Sequence, residues 1–346
     1  MKPGSFSRRE FVRGSTAALA ASASGAALIG CGGEPSDTGR VRVDFLAILD
    51  PDGLTFAPEL MGIAGGYFAD LGLEVTLQRT RGSAPAIQQV LAGGAPLTRI
   101  EQIEGVIHLA NRGVPIRNVG TVIKESAIRF VSSSSAPIRE PADFVGKLAG
   151  IPSEGGSTDK TLDLLLSTAG IDPESIERQV VGTAAGIFDL IERGQIHCYA
   201  VSIDVANILG RQRDNVVVFN PAEFLVSGAQ FYMVSEEGLG VHRDTVRRYL
   251  AAVHAAIGFM ADDDGFERTL ETLRTRYSFA TLEDTEIAKA SLAEYVGIWT
   301  AEGRDNVMRT VPENWQRGYD ELVRSGLAEG GHDPSIWYTN ELVPAG

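Results

Sequence analysis

The stretch Ile151-Pro152-Ser153-Glu154-Gly155-Gly156-Ser157-Thr158-Asp159-Lys160-Thr161-Leu162 reads as the end of a strand, a glycine-rich turn and the start of a helix. Glycine lets a backbone approach a ligand closely, and Ser153, Ser157 and Thr158 offer hydroxyls. The unpaired N–H groups of a first helical turn favour an anionic or strongly polar group. Gly155 and Gly156 with those three hydroxyls are therefore candidate ligand contacts. The same residues fit a plain capped helix with Ser157 as N-cap, and the local sequence leaves both readings open. A nucleotide P-loop is excluded, because no Lys-Ser/Thr pair closes the turn at the required spacing. The five histidines, at 108, 197, 242, 254 and 332, show no paired spacing, and His197-Cys198 would point to opposite faces of a strand. No metal and no cofactor is expected.

An alternation of strands and helices must position this turn. Val41 to Leu49 reads as a strand, Thr55 to Ala64 as a helix, Leu73 to Leu77 as a strand and Ala84 to Ala92 as a helix. Gln102 to Arg112 places Ile103, Val106, Ile107 and Ala110 on one helical face, with Gly113 after its end and His108 at the border as a packing residue. Ile116 to Ile123 and Ala127 to Ser132 are strands separated by Lys124-Glu125-Ser126, after which a second alternating series begins. It runs through strands at Leu148 to Ile151, Gln179 to Val181, His197 to Val201 and Val216 to Phe219. Its helices fall at Ser157 to Ala169, Ala184 to Arg193 and Asp204 to Arg211. In the helix after the turn, Leu162, Leu165, Leu166 and Ala169 form the expected buried stripe. After a strand from Gly228 to Val234 the pattern turns helical, and Arg243 to Met260 carries Val246, Leu250, Val253, Ile257 and Met260 on one stripe.

Such alternation implies an α/β fold with mixed, mostly parallel sheets flanked by helices. Two crossings, near 124 and 224, divide the chain into two lobes: residues 41–124 plus 228–346, and residues 125–227. A cleft between lobes is the usual place for a small ligand.

Ahead of the lobes, residues 1–30 carry Lys2, Arg8, Arg9 and Arg13 before a soft apolar run, the order of a signal segment. Ser7-Arg8-Arg9-Glu10-Phe11-Val12 resembles the twin-arginine export motif, and Leu28-Ile29-Gly30-Cys31 resembles a bacterial lipobox. Cys31 is then the expected lipidation site, and 31–40 a tether that holds the domain to the outer face of a bacterial membrane. Once Cys31 is lipidated, Cys198 has no partner for an intramolecular disulfide. A net charge of −14 with 44% hydrophobic and 22% charged residues is that of a globular protein whose surface repels nucleic acid and anionic lipid. A small-molecule partner is expected, and no nucleic acid.

A family resemblance sharpens this. Gly65-Gly66-Tyr67-Phe68-Ala69-Asp70-Leu71-Gly72-Leu73-Glu74-Val75 resembles the G-Y-F-x-x-x-G-L-x-V segment of the nitrate/sulfonate/taurine and thiamine-precursor type of ABC-transporter solute-binding protein. Val90-Leu91-Ala92-Gly93-Gly94-Ala95, the Ser153 to Thr158 turn with Ala169-Gly170-Ile171-Asp172-Pro173, and Met233-Val234-Ser235 follow in family order. The resemblance implies a type II periplasmic-binding-protein fold, a monomer whose lobes close on one ligand, and delivery to an ABC permease and its ATPase.

The first ligand loop departs from the family. Many members carry a Trp or His soon after the first strand, whereas Ala47 to Phe56 here offers Asp50, Asp52 and Phe56. Asp50 or Asp52 could pair with ligand amino groups and Phe56 could stack on a flat ring, or Phe56 could be a core residue behind a capped helix. In Thr98-Arg99-Ile100-Glu101-Gln102, Glu101 can accept hydrogen bonds from an aminopyrimidine-like ring or pair with Arg99, and Gln102 stands beside it. Lys124, Ser202, Asp204 and Phe224 are candidates by position, at strand ends facing the inferred cleft. The leading expectation is a non-catalytic receptor for an aromatic or heterocyclic solute, with an alkanesulfonate, taurine or nitrate receptor as the runner-up. A pyrimidine-synthase-like enzyme is disfavoured, because the chain has no cysteine cluster and no histidine in a ligand loop. A ligand-presenting sensor would share the same fold and site.

Overall fold

The structure, a computed structural model, describes residues 39–345. Arg8, Arg9 and Cys31, and with them the signal segment and most of the tether, lie outside the described residues.

Among the described residues ten strands form two sheets of five. The first holds β1 (Val41–Ala47), β2 (Leu73–Arg79), β3 (Leu97–Glu101), β4 (Ile116–Ile123) and β10 (Gln230–Ser235), in the order β2-β1-β3-β10-β4. The second holds β5 (Ile128–Ser133), β6 (Leu148–Ile151), β7 (Glu177–Val180), β8 (Cys198–Ser202) and β9 (Val216–Phe219), in the order β7-β6-β8-β5-β9. The α/β architecture with two helix-flanked mixed sheets is the expected one. Parallel pairings do not dominate, however. In each sheet β1/β2 and β1/β3, or β6/β7 and β6/β8, run parallel, while both pairings of β10 and of β5 are antiparallel. β5 and β10 are the strands by which the chain enters a lobe after each crossing, so they arrive from the cleft side rather than through a helical crossover.

Residue patterns explain the layers. Phe45, Leu46, Ala47 and Ile48 are all buried although neighbours alternate faces, because helices cover both sides of β1 at its cleft end. The helix Arg243–Ala261 buries Val246, Leu250, Val253, Ile257 and Met260 completely, as its periodicity requires, and packs on the helix Ala57–Ala64. In the helix Ser157–Thr168 the buried stripe is Leu162, Leu164, Leu165 and Leu166, while Ala169 is exposed at the C-cap. A 3-10 turn over Leu54–Phe56 precedes Ala57–Ala64 where continuous helix was expected.

The lobes also meet directly along a seam of polar contacts. Asn207 Nδ2, on the helix Ile203–Gln212, donates to Ser291 Oγ and Glu294 Oε1 of the helix Thr285–Thr300, both at 3.1 Å. Arg129 of β5 adds an ion pair to Glu294 at 3.2 Å.

Candidate functional site

Between the lobes lies a cleft of about 700 Å³. Lobe one contributes Ile48 and Leu49 after β1, the 79–85 segment after β2, and Glu101 and Glu104 from the end of β3 and the helix Gln102–Arg112. Lobe two contributes Ile128, Pro152, Ser153 and Gly155 to Thr158.

Each wall is built on the same local device, a Gly-Ser step that ends a loop and starts a helix. Gly82 is the N-cap before the helix Ser83–Leu91, and Gly156 the N-cap before Ser157–Thr168. Neither helix has a side-chain cap, so the expectation of Ser157 as N-cap is corrected: Ser157 is the first helical residue, and its hydroxyl is released toward the other lobe. Ser157 Oγ donates to Ser83 Oγ across the cleft at 3.2 Å, and Ser83 Oγ also accepts the Glu101 N–H at 3.3 Å. Gly155, at φ +65, donates its N–H to Asp159 Oδ2 at 2.8 Å, which shapes the turn. Lys160 Nζ bonds Gly155 O and, across the lobes, Glu104 Oε2 at 2.8 Å. A Cβ at Gly156 would sit 2.3 Å from Ser153 Oγ, so any larger residue there must displace the Ser153 hydroxyl from its present position.

Glu101 is the most perturbed group in the cleft. It is 8% exposed and its Oε1 accepts from Gln230 Nε2 at 2.7 Å. Burial pushes its carboxyl up to about 7; the Gln230 bond and Arg99 oppose this and Glu104 reinforces it. A carboxyl poised in this way can accept a hydrogen bond from a ring N–H or, protonated, donate one.

The cleft therefore gathers six of the sequence candidates: Glu101, Ser153, Gly155, Gly156, Ser157 and Thr158. The others lie outside its lining. Phe56 is a core residue, fully buried, with the Arg99 guanidinium 4.4 Å from its ring centre. Arg99 is turned away from Glu101 and grips Glu59 through Nη1, 3.1 Å from each carboxylate oxygen. Asp52 is exposed, its N–H bonded to Asp50 Oδ1 at 3.3 Å, and Asp50 pairs with Arg79 at 3.0 Å. Gln102 is buried against the backbone of Gly318. Lys124 pairs with Glu302 at 2.7 Å at the crossing, and Phe224 stacks on Phe219 with ring centres 5.5 Å apart. Ser202 caps the helix Ile203–Gln212 by accepting the Val205 N–H at 3.4 Å.

Asp204 forms part of the seam. It is 4% exposed, its Oδ2 accepts the Leu54 N–H of the other lobe at 2.8 Å, and its Oδ1 has no hydrogen-bond partner among the described residues. Burial pushes its carboxyl up to about 7, opposed by the Leu54 and Thr55 backbone and reinforced by Glu294. Residues that sequence reasoning missed are Ser83, Glu104, Lys160 and the Arg79 to Gly82 turn. The repeated strand-Gly-Ser-helix pattern was the available signal for Ser83.

Glu101 and Asp204 make a joint prediction. Their folded values near 7 lie above the ordinary 4.5 and 3.8, so the folded chain holds two protons that the unfolded chain has lost. Their contribution is complete below about pH 4, falls as the pH rises toward 7, and is level above that. His254, whose pKa burial lowers, works in the opposite sense just below its ordinary 6.5. The melting temperature of a Glu101→Gln/Asp204→Asn variant is therefore expected to gain on that of the wild type as pH rises from about 5 to about 8. Parallel melting profiles would contradict the assignment.

A second hollow, of about 730 Å³, lies between lobe two and the Ser325–Leu327 end of lobe one. Its Asp159 and Asp163 are already paired with Arg178, and it contains neither Gly-Ser step. Among the described residues no cluster of His, Cys, Asp and Glu could hold a metal ion, and Cys198 is buried with its thiol pushed up to about 12 by burial.

Comparison with known proteins gives a family match and a fold. The NMT1/THI5 like family model matches residues 54–264. A riboflavin-binding protein, RibY, from Chloroflexus aurantiacus is 25% identical over 305 residues, covering 85% of this chain and 84% of that protein. A formylaminopyrimidine-binding protein from Halalkalibacterium halodurans is 24% identical over 164 residues, 47% of this chain and 49% of that one. Among solved structures, the alkanesulfonate-binding protein SsuA from Xanthomonas axonopodis pv. citri, bound to MOPS, superposes with a TM-score of 0.65 at 13% identity, over 86% of this chain and 97% of that one. That last likeness shows the fold.

Proposed function

The chain belongs to the NMT1/THI5 like family and has the two-lobe fold of the solute-binding proteins of ABC importers, and on that premise we propose that its cleft captures a flat heterocyclic solute for a membrane permease. The observation that carries this reading is the pairing of a buried carboxyl, Glu101, with hydroxyl-bearing Gly-Ser steps from both lobes. A ring with N–H donors satisfies Glu101, while Ile48, Leu49, Ile128 and Pro152 supply apolar surface from both sides. The names of two relatives, riboflavin- and formylaminopyrimidine-binding, are of this chemical kind. Because Phe56 lies in the core, the ring is held between aliphatic side chains rather than stacked on an aromatic one.

A simple alkanesulfonate is the second reading, supported by the uncapped helix start at Ser157. Glu101 and Glu104 count against it, since both present carboxyls to the same space. Chemistry on the ligand has little support, because the cleft lining includes no cysteine, histidine or lysine among the described residues.

Export through Arg8-Arg9 and a lipid anchor at Cys31 complete the proposal, with the domain held outside the membrane. Intact mass spectrometry of protein recovered gently from membranes tests both parts. The expected result is a chain beginning at an acylated Cys31, carrying a small aromatic molecule that leaves on denaturation. An unacylated chain overturns the anchor. A sulfonate in place of a ring compound overturns the ligand class.

A further inference from the structure

Four charged side chains line the cleft: Arg79, Arg81, Glu101 and Glu104. Three are engaged within the protein. Arg79 Nη1 holds Asp50 Oδ2 at 3.0 Å, Glu104 Oε2 receives Lys160 Nζ at 2.8 Å, and Glu101 Oε1 receives Gln230 Nε2 at 2.7 Å. Arg81 is exposed and, among the described residues, has no ion pair or hydrogen bond from its guanidinium.

Its attachment is nevertheless fixed. Thr80 N–H donates to Ala47 O at 2.8 Å, and Thr80 Oγ1 donates to the same oxygen at 3.1 Å. Gly82 follows at φ +104, a conformation that side-chain-bearing residues rarely adopt. The turn is thus pinned to the end of β1, and the Arg81 side chain starts from a defined point on the cleft wall. A guanidinium offers a planar fork of donors that fits a carboxylate, sulfonate or phosphate. Among the described residues the acids in the lining are Glu101 and Glu104, both already engaged, so within the cleft the Arg81 guanidinium is open to an anionic group brought by the ligand.

We infer that Arg81 is a specificity-determining residue that receives an anionic arm of the ligand, so that the cleft selects a heterocyclic ring bearing a phosphate, sulfonate or carboxylate over the neutral ring. The inference rests on the ring-receptor reading above. Glu101 and Arg81 then read different ends of one molecule: a small bare anion meets the carboxyls of Glu101 and Glu104, and a neutral ring leaves Arg81 unpaired. The net charge of −14 repels anions at long range, so this selection acts by contact inside the cleft.

Riboflavin and its 5′-phosphate share one ring and differ by the anion, which makes them the probes. Calorimetric titration of the intact domain with each is expected to show the phosphate form binding about tenfold tighter or more, the usual range for a charged hydrogen bond. In Arg81→Gln that preference collapses toward unity. Equal binding of the two flavins by the wild type, or a preference unchanged in Arg81→Gln, overturns the inference and leaves the ring-receptor reading standing. If neither flavin binds, the flavin version of that reading fails, and the same comparison made with an aminopyrimidine and its phosphate ester decides about Arg81. A preference for the ester that is lost in Arg81→Gln supports its role, equal binding or an unchanged preference overturns it, and binding of neither overturns it together with the ring-receptor reading on which it rests.

Discussion

Arg99→Met is expected to lower stability by about 3–5 kcal/mol, the range for breaking a buried ion pair by removing one partner. Arg99 is 1% exposed and Glu59 0%. The guanidinium spans both Glu59 oxygens, donates Nη2–H to Thr55 O at 2.7 Å and lies over the Phe56 ring. Tyr232 adds a hydroxyl hydrogen bond to Glu59 Oε1 at 2.7 Å. Burial works against the Arg99 charge, but Glu59 with Tyr232 and Tyr249 outweighs it, so Arg99 holds its proton more tightly than usual. Burial already pushes the Glu59 carboxyl up against the opposing Arg99 charge, so removing Arg99 leaves it with no countercharge in the lobe-one core, to be held as an unpaired charge or neutralised by taking up a proton. Urea unfolding should show a lower midpoint with an unchanged slope, and Glu59→Gln added to Arg99→Met should restore much of the loss. A loss below about 1 kcal/mol would mean that the pair is not the core element described.

Glu321→Ala is the second large effect, and it acts on the crossing between lobes. The Val226 and Ser227 N–H groups both donate to the Glu321 carboxylate, the shorter bond being 2.7 Å from Ser227, and Ser227 Oγ donates to Gly318 O at 2.8 Å. Glu321 is 4% exposed, so its removal strands two backbone donors that the crossing cannot pair with itself. The return strand also passes close to the outgoing one: a Cβ at Gly228 would lie 2.6 Å from Ser126 N, which leaves no room to re-form the bonds elsewhere. A loss of about 1–3 kcal/mol is expected, the range for one unsatisfied buried group, since Ser227 is buried while Val226 is half-buried and open to water. Hydrogen exchange should accelerate first at the Val226 and Ser227 amides, ahead of global unfolding. Uniform acceleration across the chain would show that Glu321 supports the fold generally rather than this crossing.

Elements with a strong period were legible in the sequence. The stripe of Arg243–Ala261, the two strand-helix series and the turn at 153–158 each depend on neighbours within a few residues, which is where sequence pattern carries information. What failed depends on partners far along the chain. Arg99 is adjacent to ligand-loop positions in sequence, yet Glu59, forty residues earlier, draws it into the core. Phe56 follows an apparent ligand loop, but the 3-10 turn over Leu54–Phe56 swings its ring onto Phe45 and Arg99. Asp204 does stand at a strand end, as position suggested, but there the lobes already touch and it bonds Leu54 instead of facing open cleft. Ser83 shows the converse: its Gly-Ser signature is local and readable, and its importance emerges only when Ser157 arrives opposite it.

The central claim is that the two Gly-Ser steps and Glu101 hold a ring compound between the lobes. It is tested most directly by thermal shift of the wild type and of a Gly156→Val/Ser157→Ala variant against one panel: flavins, aminopyrimidines, nucleobases, taurine and alkanesulfonates. Valine at 156 drives Ser153 Oγ out of its place, and alanine at 157 removes the hydroxyl that meets Ser83. Both positions have ordinary helical or extended backbone, so the unliganded variant should melt close to the wild type. A ring compound should raise the wild-type midpoint by several degrees, because a ligand that binds only the folded state must stabilise it, and the shift should disappear in the variant. A panel in which only taurine or sulfonates stabilise the wild type, or a ring compound that stabilises both proteins equally, would contradict the account.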